Sequence, residues 1–229
     1  MKPIVLGLTG SIAMGKSTVG AMLENLGVPV HDADAAVHKF LGPDHPARIE
    51  IAAAFPYYEY PDLYIKKTRA IDRVKLGALV FSDEGLREQL ESILHPMVEQ
   101  DQREFITQQG KVGRPIVALD IPLLFEIEAE KGLDYIMVVS APLMVQRERA
   151  LERPNMTQDK LDSIIARQMP DIEKQKRADY VIKTGLGRGH SMKLLKEALY
   201  DIRIKSGLIS DPEEEDEDEK GGRQKPVIL

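Results

Sequence analysis

Short apolar runs punctuate this chain and alternate with segments whose apolar residues recur every three or four positions. That alternation marks buried parallel strands joined by amphipathic helices. Ile4 to Leu8 is the first run; beyond Lys16, Val19, Met22, Leu23 and Leu26 share one helical face, and Gly27 supplies the stop. Val28-Pro29-Val30 reads as a second short strand closing on His31-Asp32-Ala33-Asp34, with Asp34 placed to cap the helix that Ala35, Ala36 and Val37 begin. Pro115 to Asp120 and Tyr135 to Ser140 read as further strands, the first ending on an acid. A turn at Arg177-Ala178-Asp179 leads into a last strand, Tyr180 to Ile182. Ser191 is placed to cap a helix with Leu194, Leu195, Ala198, Leu199 and Ile202 on its inner face.

Between about 39 and 104 the strand-helix alternation lapses. Gly42-Pro43 and His45-Pro46 are turn signals, and the stretch from Phe55 to Tyr64 holds four of the seven tyrosines. A local hairpin or packing cluster is the commoner use of such aromatic density, and a substrate face is the alternative. The periodicity predicts a helix over Ile71 to Val80 and a longer one from about Leu86 to Gln109, in which Pro96 is expected to bend or restart the helix after His95. The block reads as a helical insertion in an α/β core. Ala141-Pro142 starts another helix, on which Gln146, Arg149 and Arg153 share a face; Met156 to Met169 forms a further one, capped by Thr157 and ended by Pro170. By themselves these arginines, laced with Glu148 and Glu152, describe a solvated charged surface.

The chemistry enters at Gly10 to Ser17, which read G-x-x-x-x-G-K-S after a predicted strand and at the start of a predicted helix. That context makes the pattern a phosphate-binding loop. Its glycines allow the backbone to turn tightly and present N–H groups to an anion, Lys16 is spaced to reach the outer phosphates, and the Ser17 hydroxyl is spaced to ligate magnesium. Asp32, Asp34 and Asp120 stand at strand ends, where α/β sheets gather ligand groups.

Composition narrows the partners. The 229 residues carry a formal charge of −6, but residues 211 to 220 hold eight acids and one base, and without them 30 basic and 29 acidic residues leave a body at +1. No basic field argues for nucleic-acid binding. The sequence shows neither a transmembrane span nor a secretory leader, and cysteine is absent, which excludes thiol chemistry and agrees with a reducing, cytoplasmic setting.

Several phrases in order extend the reading: Leu8-Thr9-Gly10, Asp32-Ala33-Asp34 with His38, Asp72-Arg73 with Leu76-Gly77 and Val80-Phe81, His95-Pro96, Asp120-Ile121-Pro122-Leu123-Leu124-Phe125-Glu126, Gln146 with Arg149 and Arg153, Gln168-Met169-Pro170, and Arg177 to Ile182. Over about residues 3 to 205 this set resembles the dephospho-coenzyme A kinase family. The resemblance implies a three-layer α/β P-loop kinase fold with a five-stranded parallel sheet. Its nucleotide-binding core would take residues 1–38, 105–141 and 171–205, a helical coenzyme A substrate domain 39–104, a lid 142–170, and a disordered acidic tail 206–229.

The implied reaction moves the γ-phosphoryl group of ATP to the 3'-hydroxyl of dephospho-coenzyme A, with Mg2+, in a monomer or weak homo-oligomer. It implies catalytic roles for Asp34, Lys16, Arg149 and Arg153, with Asp34 orienting or deprotonating the hydroxyl. Nucleotide contacts would come from Thr9, Gly10, Ala13, Met14, Gly15, Lys16, Ser17 and Thr18, acceptor contacts from Asp34, His95, Asp120 and Leu123, and metal contacts from Ser17 and Asp32. The chain departs from the family where Ala13-Met14 replaces Gly-Ser and where Lys183-Thr184 replaces a segment that often contains Asn. Another small-molecule kinase on the same scaffold would share the loop and arginines; a nucleotide-dependent regulatory switch would share the loop alone. No N-K-x-D guanine phrase is present.

Overall fold

The structure, a computed structural model, describes residues 2–42, 45–68 and 70–211. In chain order its elements are β1 (Ile4–Thr9), α1 (Lys16–Asn25), β2 (Val30–Asp32), α2 (Ala33–Phe40), α3 (Arg48–Ala54), α4 (Arg73–Ser82), α5 (Glu84–Lys111), β3 (Ile116–Asp120), β4 (Tyr135–Ser140), α6 (Leu143–Leu151), α7 (Gln158–Arg167), α8 (Asp171–Arg177), β5 (Tyr180–Lys183) and α9 (Arg188–Lys205). The strands form one five-stranded sheet in the order β2-β3-β1-β4-β5, with β2–β3, β1–β4 and β4–β5 paired in parallel. This is the predicted sheet. Pro43 of the Gly42-Pro43 turn, and residues 212–229 of the tail expected at 206–229, lie outside the described residues.

The chain divides into two compact units, one of the residues up to Val5 with Pro29–Ile121, the other of Leu6–Val28 with the residues from Pro122 onward. In the first, β2 and β3 set Asp32 in register with Asp120. The cap of α2 is Asp32, whose carboxylate accepts the Ala35 N–H at 2.9 Å, and not Asp34 as the sequence suggested. Helix formation therefore starts two residues earlier and leaves Asp34 exposed in the first turn, where the helix dipole favours an acid.

The helices of this unit bury Phe40, Ile51, Phe55, Leu76, Leu90 and Leu94 in one cluster, each contributing about 1.5–3 kcal/mol of apolar transfer. Asp72 caps α4 and Asp83 caps α5. α5 runs unbroken for 28 residues through Pro96, so the expected restart does not occur. Proline deletes one backbone donor, but packing of Leu90 and Leu94 on one side holds the helix across the gap. The tyrosine-rich segment is largely a packing cluster: the Tyr64 hydroxyl donates to the Phe55 carbonyl at 2.5 Å and both residues are buried, whereas Tyr57 and Tyr58 face outward. α3 escaped sequence reading because its alanines blur the apolar period and Ile49 is 75% exposed.

In the second unit, β1, β4 and β5 bury Leu6, Leu8, Met137, Val139 and Ile182. α1 packs on α9, which turns Leu195, Leu199 and Ile202 inward. Thr157 caps α7 as predicted, accepting the Lys160 N–H at 3.3 Å. Ser191 is not a cap: α9 begins at Arg188, and the buried Ser191 hydroxyl lies near the Lys183 carbonyl (3.1 Å) and the Gly187 carbonyl (3.2 Å), tying β5 to the helix. The short α8 was not foreseen, because its seven residues are mostly polar. Its acids at Asp171 and Glu173 and its bases at Lys174, Lys176 and Arg177 nevertheless match the helix dipole.

Candidate active site

The phosphate loop lies in the second unit and is shaped by its backbone. Thr9 ends β1 fully buried, with its hydroxyl donating to the Pro122 carbonyl at 3.2 Å. That bond ties the loop's entry to the segment after β3. Gly10 is required by close approach, since a Cβ there would stand 2.6 Å from the Val139 carbonyl oxygen. Gly15 takes φ 95° as the residue before α1, a conformation that side chains strain to reach. Lys16, Ser17 and Thr18 then form the first helical turn, in which the Thr18 N–H donates to the Gly15 carbonyl at 3.1 Å, and a helix N-terminus of this kind favours an anion.

The Ala13-Met14 departure is accommodated in a defined way. Ala13 itself adopts φ 59°, the left-handed conformation a glycine would supply. Met14 is only 2% exposed, and its Sδ accepts the Ala141 N–H at 3.1 Å. Its side chain is packed into the unit beside the end of β4.

Two glutamines grip the same loop residue. Gln146 on α6 donates to the Ile12 carbonyl at 2.9 Å, and Gln168 after α7 accepts the Ile12 N–H at 3.0 Å. Ala13 packs with Ala150 and Leu161 from these helices. Arg149 donates from both terminal nitrogens to Thr184, to its hydroxyl and its carbonyl, each at 3.0 Å, and the Thr184 hydroxyl lies 2.6 Å from the Met14 carbonyl oxygen. Arg153, past the end of α6, is exposed.

Behind these groups, Glu126 Oε1 accepts the Met169 N–H at 2.8 Å and stands 2.7 Å from the fully buried Lys174 Nζ. Neither Lys174 Nζ nor Glu126 Oε2 has a well-aligned hydrogen bond, so that contact is chiefly charge against charge. Burial pushes the Glu126 carboxyl up, but Lys174 and the backbone N–H groups more than offset it and hold the carboxyl below its ordinary value.

The acids lie in the first unit. Asp120 is buried at the end of β3, opposite Asp32 on β2, and Asp34 is exposed two residues further on. The neighbouring His31 is buried, with Nε2 2.7 Å from Asp101 on α5. His95 is exposed on α5, and in the second unit Leu123 is 42% exposed beside the buried Leu124 and Phe125. The structure therefore gathers the loop with Arg149 in the second unit and sets Asp32 beside Asp120 in the first.

Three residues escaped individual notice in the sequence. Gln168 and Thr184 stood in quoted phrases or at a departure from the family, but a glutamine or threonine side chain bonding to backbone leaves no periodic signal. Lys174 read as one of several helix charges.

The sequence profile of the dephospho-CoA kinase family matches residues 4–187. The dephospho-CoA kinase of Novosphingobium aromaticivorans is 47% identical over 205 residues, covering 90% of this chain and 98% of that protein. That of Mesorhizobium japonicum is 46% identical over 184 residues, covering 80% and 89%. Among solved structures, TT1252 from Thermus thermophilus superposes with a TM-score of 0.73 at 32% identity, covering 88% of this chain and 98% of that one. The dephospho-CoA kinase from Campylobacter jejuni gives 0.60 at 25% identity, covering 88% and 98%. With the loop geometry, the sheet and the matched length in agreement, the chain belongs to the dephospho-CoA kinase family.

Proposed function

We propose that the chain transfers the γ-phosphoryl group of ATP to the 3'-hydroxyl of dephospho-coenzyme A, giving coenzyme A and ADP, with the roles below. Family membership over residues 4–187, including an intact phosphate loop, is the observation that carries the reading. In the transfer, the 3'-oxygen bonds to the γ-phosphorus, the bond from that phosphorus to the β–γ bridging oxygen breaks, and the hydroxyl proton passes to Asp34 or onward to water.

Asp34 is suited to meet the hydroxyl because Asp32, and not Asp34, is spent on capping α2. The loose transition state of phosphoryl transfer asks more for orientation than for early proton removal. Lys16, Arg149 and Arg153 supply positive charge for the oxygens of the transferring group. Loop backbone from Gly10 to Thr18 cradles the phosphates, while Thr9 and Met14 act through loop shape.

Ser17 and Asp32 are the residues assigned to magnesium, each offering a hard oxygen of the kind that ion takes, Asp32 through the carboxylate oxygen that does not cap α2. When bound, that ion neutralises the β- and γ-phosphate oxygens. Asp120, His95 and Leu123 are assigned to the acceptor, residues 39–104 to the domain that holds it, and 142–170 to a lid. The reading carries with it a cytoplasmic monomer or weak homo-oligomer without membrane or nucleic-acid partners. Among the described residues, no helix is long and apolar enough to cross a membrane.

ADP release measured with and without dephospho-coenzyme A tests this. Release should depend on the acceptor, and Asp34→Asn should slow it by about a hundredfold. Equal ATP hydrolysis without acceptor would favour the regulatory switch, and near-normal turnover of the variant would remove Asp34 from its role.

A further inference from the structure

We propose that Thr184 is a positioning residue for phosphoryl transfer, holding Arg149 and the phosphate loop in register through one hydroxyl; the inference rests on the kinase reading above. Thr184 follows β5, only 7% exposed. Its hydroxyl accepts from Arg149 Nη1 at 3.0 Å and approaches the Met14 carbonyl at 2.6 Å, whereas the Ser140 carbonyl is 3.4 Å away. A hydroxyl has one proton to give. The much shorter approach assigns it to Met14.

The three groups thus form a directed chain: guanidinium to hydroxyl to loop carbonyl. Donation from a cation polarises the hydroxyl and strengthens its own donation onward. Thr184 also accepts Arg149 Nη2 on its backbone carbonyl at 3.0 Å, while its own N–H donates to Ser140 at 2.9 Å. The residue that orients the arginine is therefore pinned to the end of β4.

Two consequences follow for catalysis. The bidentate grip consumes two of the five guanidinium donors, which leaves three for phosphate oxygens on a plane that is already oriented. The same hydroxyl fixes the Met14–Gly15 peptide, one residue beyond Ala13, whose φ of 59° strains the loop. A Cβ on Gly15 would meet the Thr184 hydroxyl at 3.2 Å, so the loop passes close over this group. Neither Lys183 nor Gly185 supplies such a hydroxyl.

The test is a double-mutant cycle in the full chain, with kcat, KM for each substrate and thermal unfolding measured together. Thr184→Val keeps the shape and removes the hydroxyl; it should lower kcat by about tenfold with the KM for dephospho-coenzyme A unchanged. Thr184→Ser should restore most of that loss. On an Arg149→Ala background Thr184→Val should cost clearly less than on the wild-type background, because the share of its effect that passes through the arginine is already lost.

An equal loss on both backgrounds, or a Thr184→Val enzyme with wild-type kcat, overturns the proposal. So does a loss that Thr184→Ser does not restore. If Thr184→Val does not fold, Thr184→Ala enters the same cycle with the same readings. A wild-type protein that made no coenzyme A would contradict the kinase reading instead.

Discussion

At the scale of single residues, the strained position of the phosphate loop is Ala13. A left-handed alanine costs about 1–2 kcal/mol relative to the right-handed region. Replacing it with glycine removes that cost, but it also deletes a buried methyl group worth about 0.8 kcal/mol and frees the unfolded chain by about 0.4–1 kcal/mol. The terms nearly cancel. Ala13→Gly should therefore leave thermal stability within about 1 kcal/mol of wild type. Ala13→Val should lower it by more than about 2 kcal/mol, since a β-branched residue strongly resists positive φ and Ala150 and Leu161 crowd the site. Thermal unfolding of the two variants decides; a valine variant as stable as wild type would mean that the loop does not hold this conformation.

The lesson at this scale is that motif letters describe chemistry better than they describe geometry. The turn at Gly15 and the helix that Lys16 and Ser17 open were legible from spacing alone. Replacing Gly-Ser by Ala13-Met14 removes glycine's freedom from the loop, yet Ala13 itself takes the positive φ and the Met14 thioether accepts the Ala141 N–H.

Among the elements, α6, α7 and α8 meet the loop and strands through buried polar contacts, not through apolar area alone. Gln146 and Gln168 both end on Ile12, and Glu126 ties Met169 to Lys174. The Glu126 carboxyl is held below its ordinary value of 4.5 in the folded state. A depressed carboxyl adds stability that is fully present above the unfolded pKa and is lost as pH falls through the folded one. The wild-type protein should therefore lose stability as pH falls below about 4.5, the ordinary value. Glu126→Gln should flatten that acid limb and, by leaving Lys174 buried without its counter-charge, cost about 3 kcal/mol near neutral pH. Unfolding midpoints across that range provide the check; an unchanged acid limb in the variant would show that Glu126 is not the group responsible.

Strands and long helices were legible in the sequence because burial imposes a period on apolar residues: β1, β3, β4, α5 and α7 were found close to their bounds. α3 and α8 were missed because seven residues are too few to show one. Both mistaken caps have the same origin. A capping residue is recognised by type: Asp32 and Asp34 differ only in which backbone N–H they reach, and Gly187, which precedes α9, makes no side-chain cap bond to recognise.

For the molecule as a whole, the reaction was legible before the structure because its residues form an ordered set along the chain and because an anion-binding loop needs a strand before it and a helix after it. The brace around the loop was not legible, since Thr184 is separated from Met14 by 170 positions and joins it through one hydroxyl. The claim that organises these observations is transfer of a phosphoryl group to a specific hydroxyl. The direct measurement is the mass of the acceptor, with phosphorus NMR to locate the new group, after incubation with ATP and magnesium. The account predicts coenzyme A carrying a new 3'-phosphomonoester and one ADP formed per phosphoryl added. ATP consumed with dephospho-coenzyme A unchanged, or phosphorylated at another position, would contradict it.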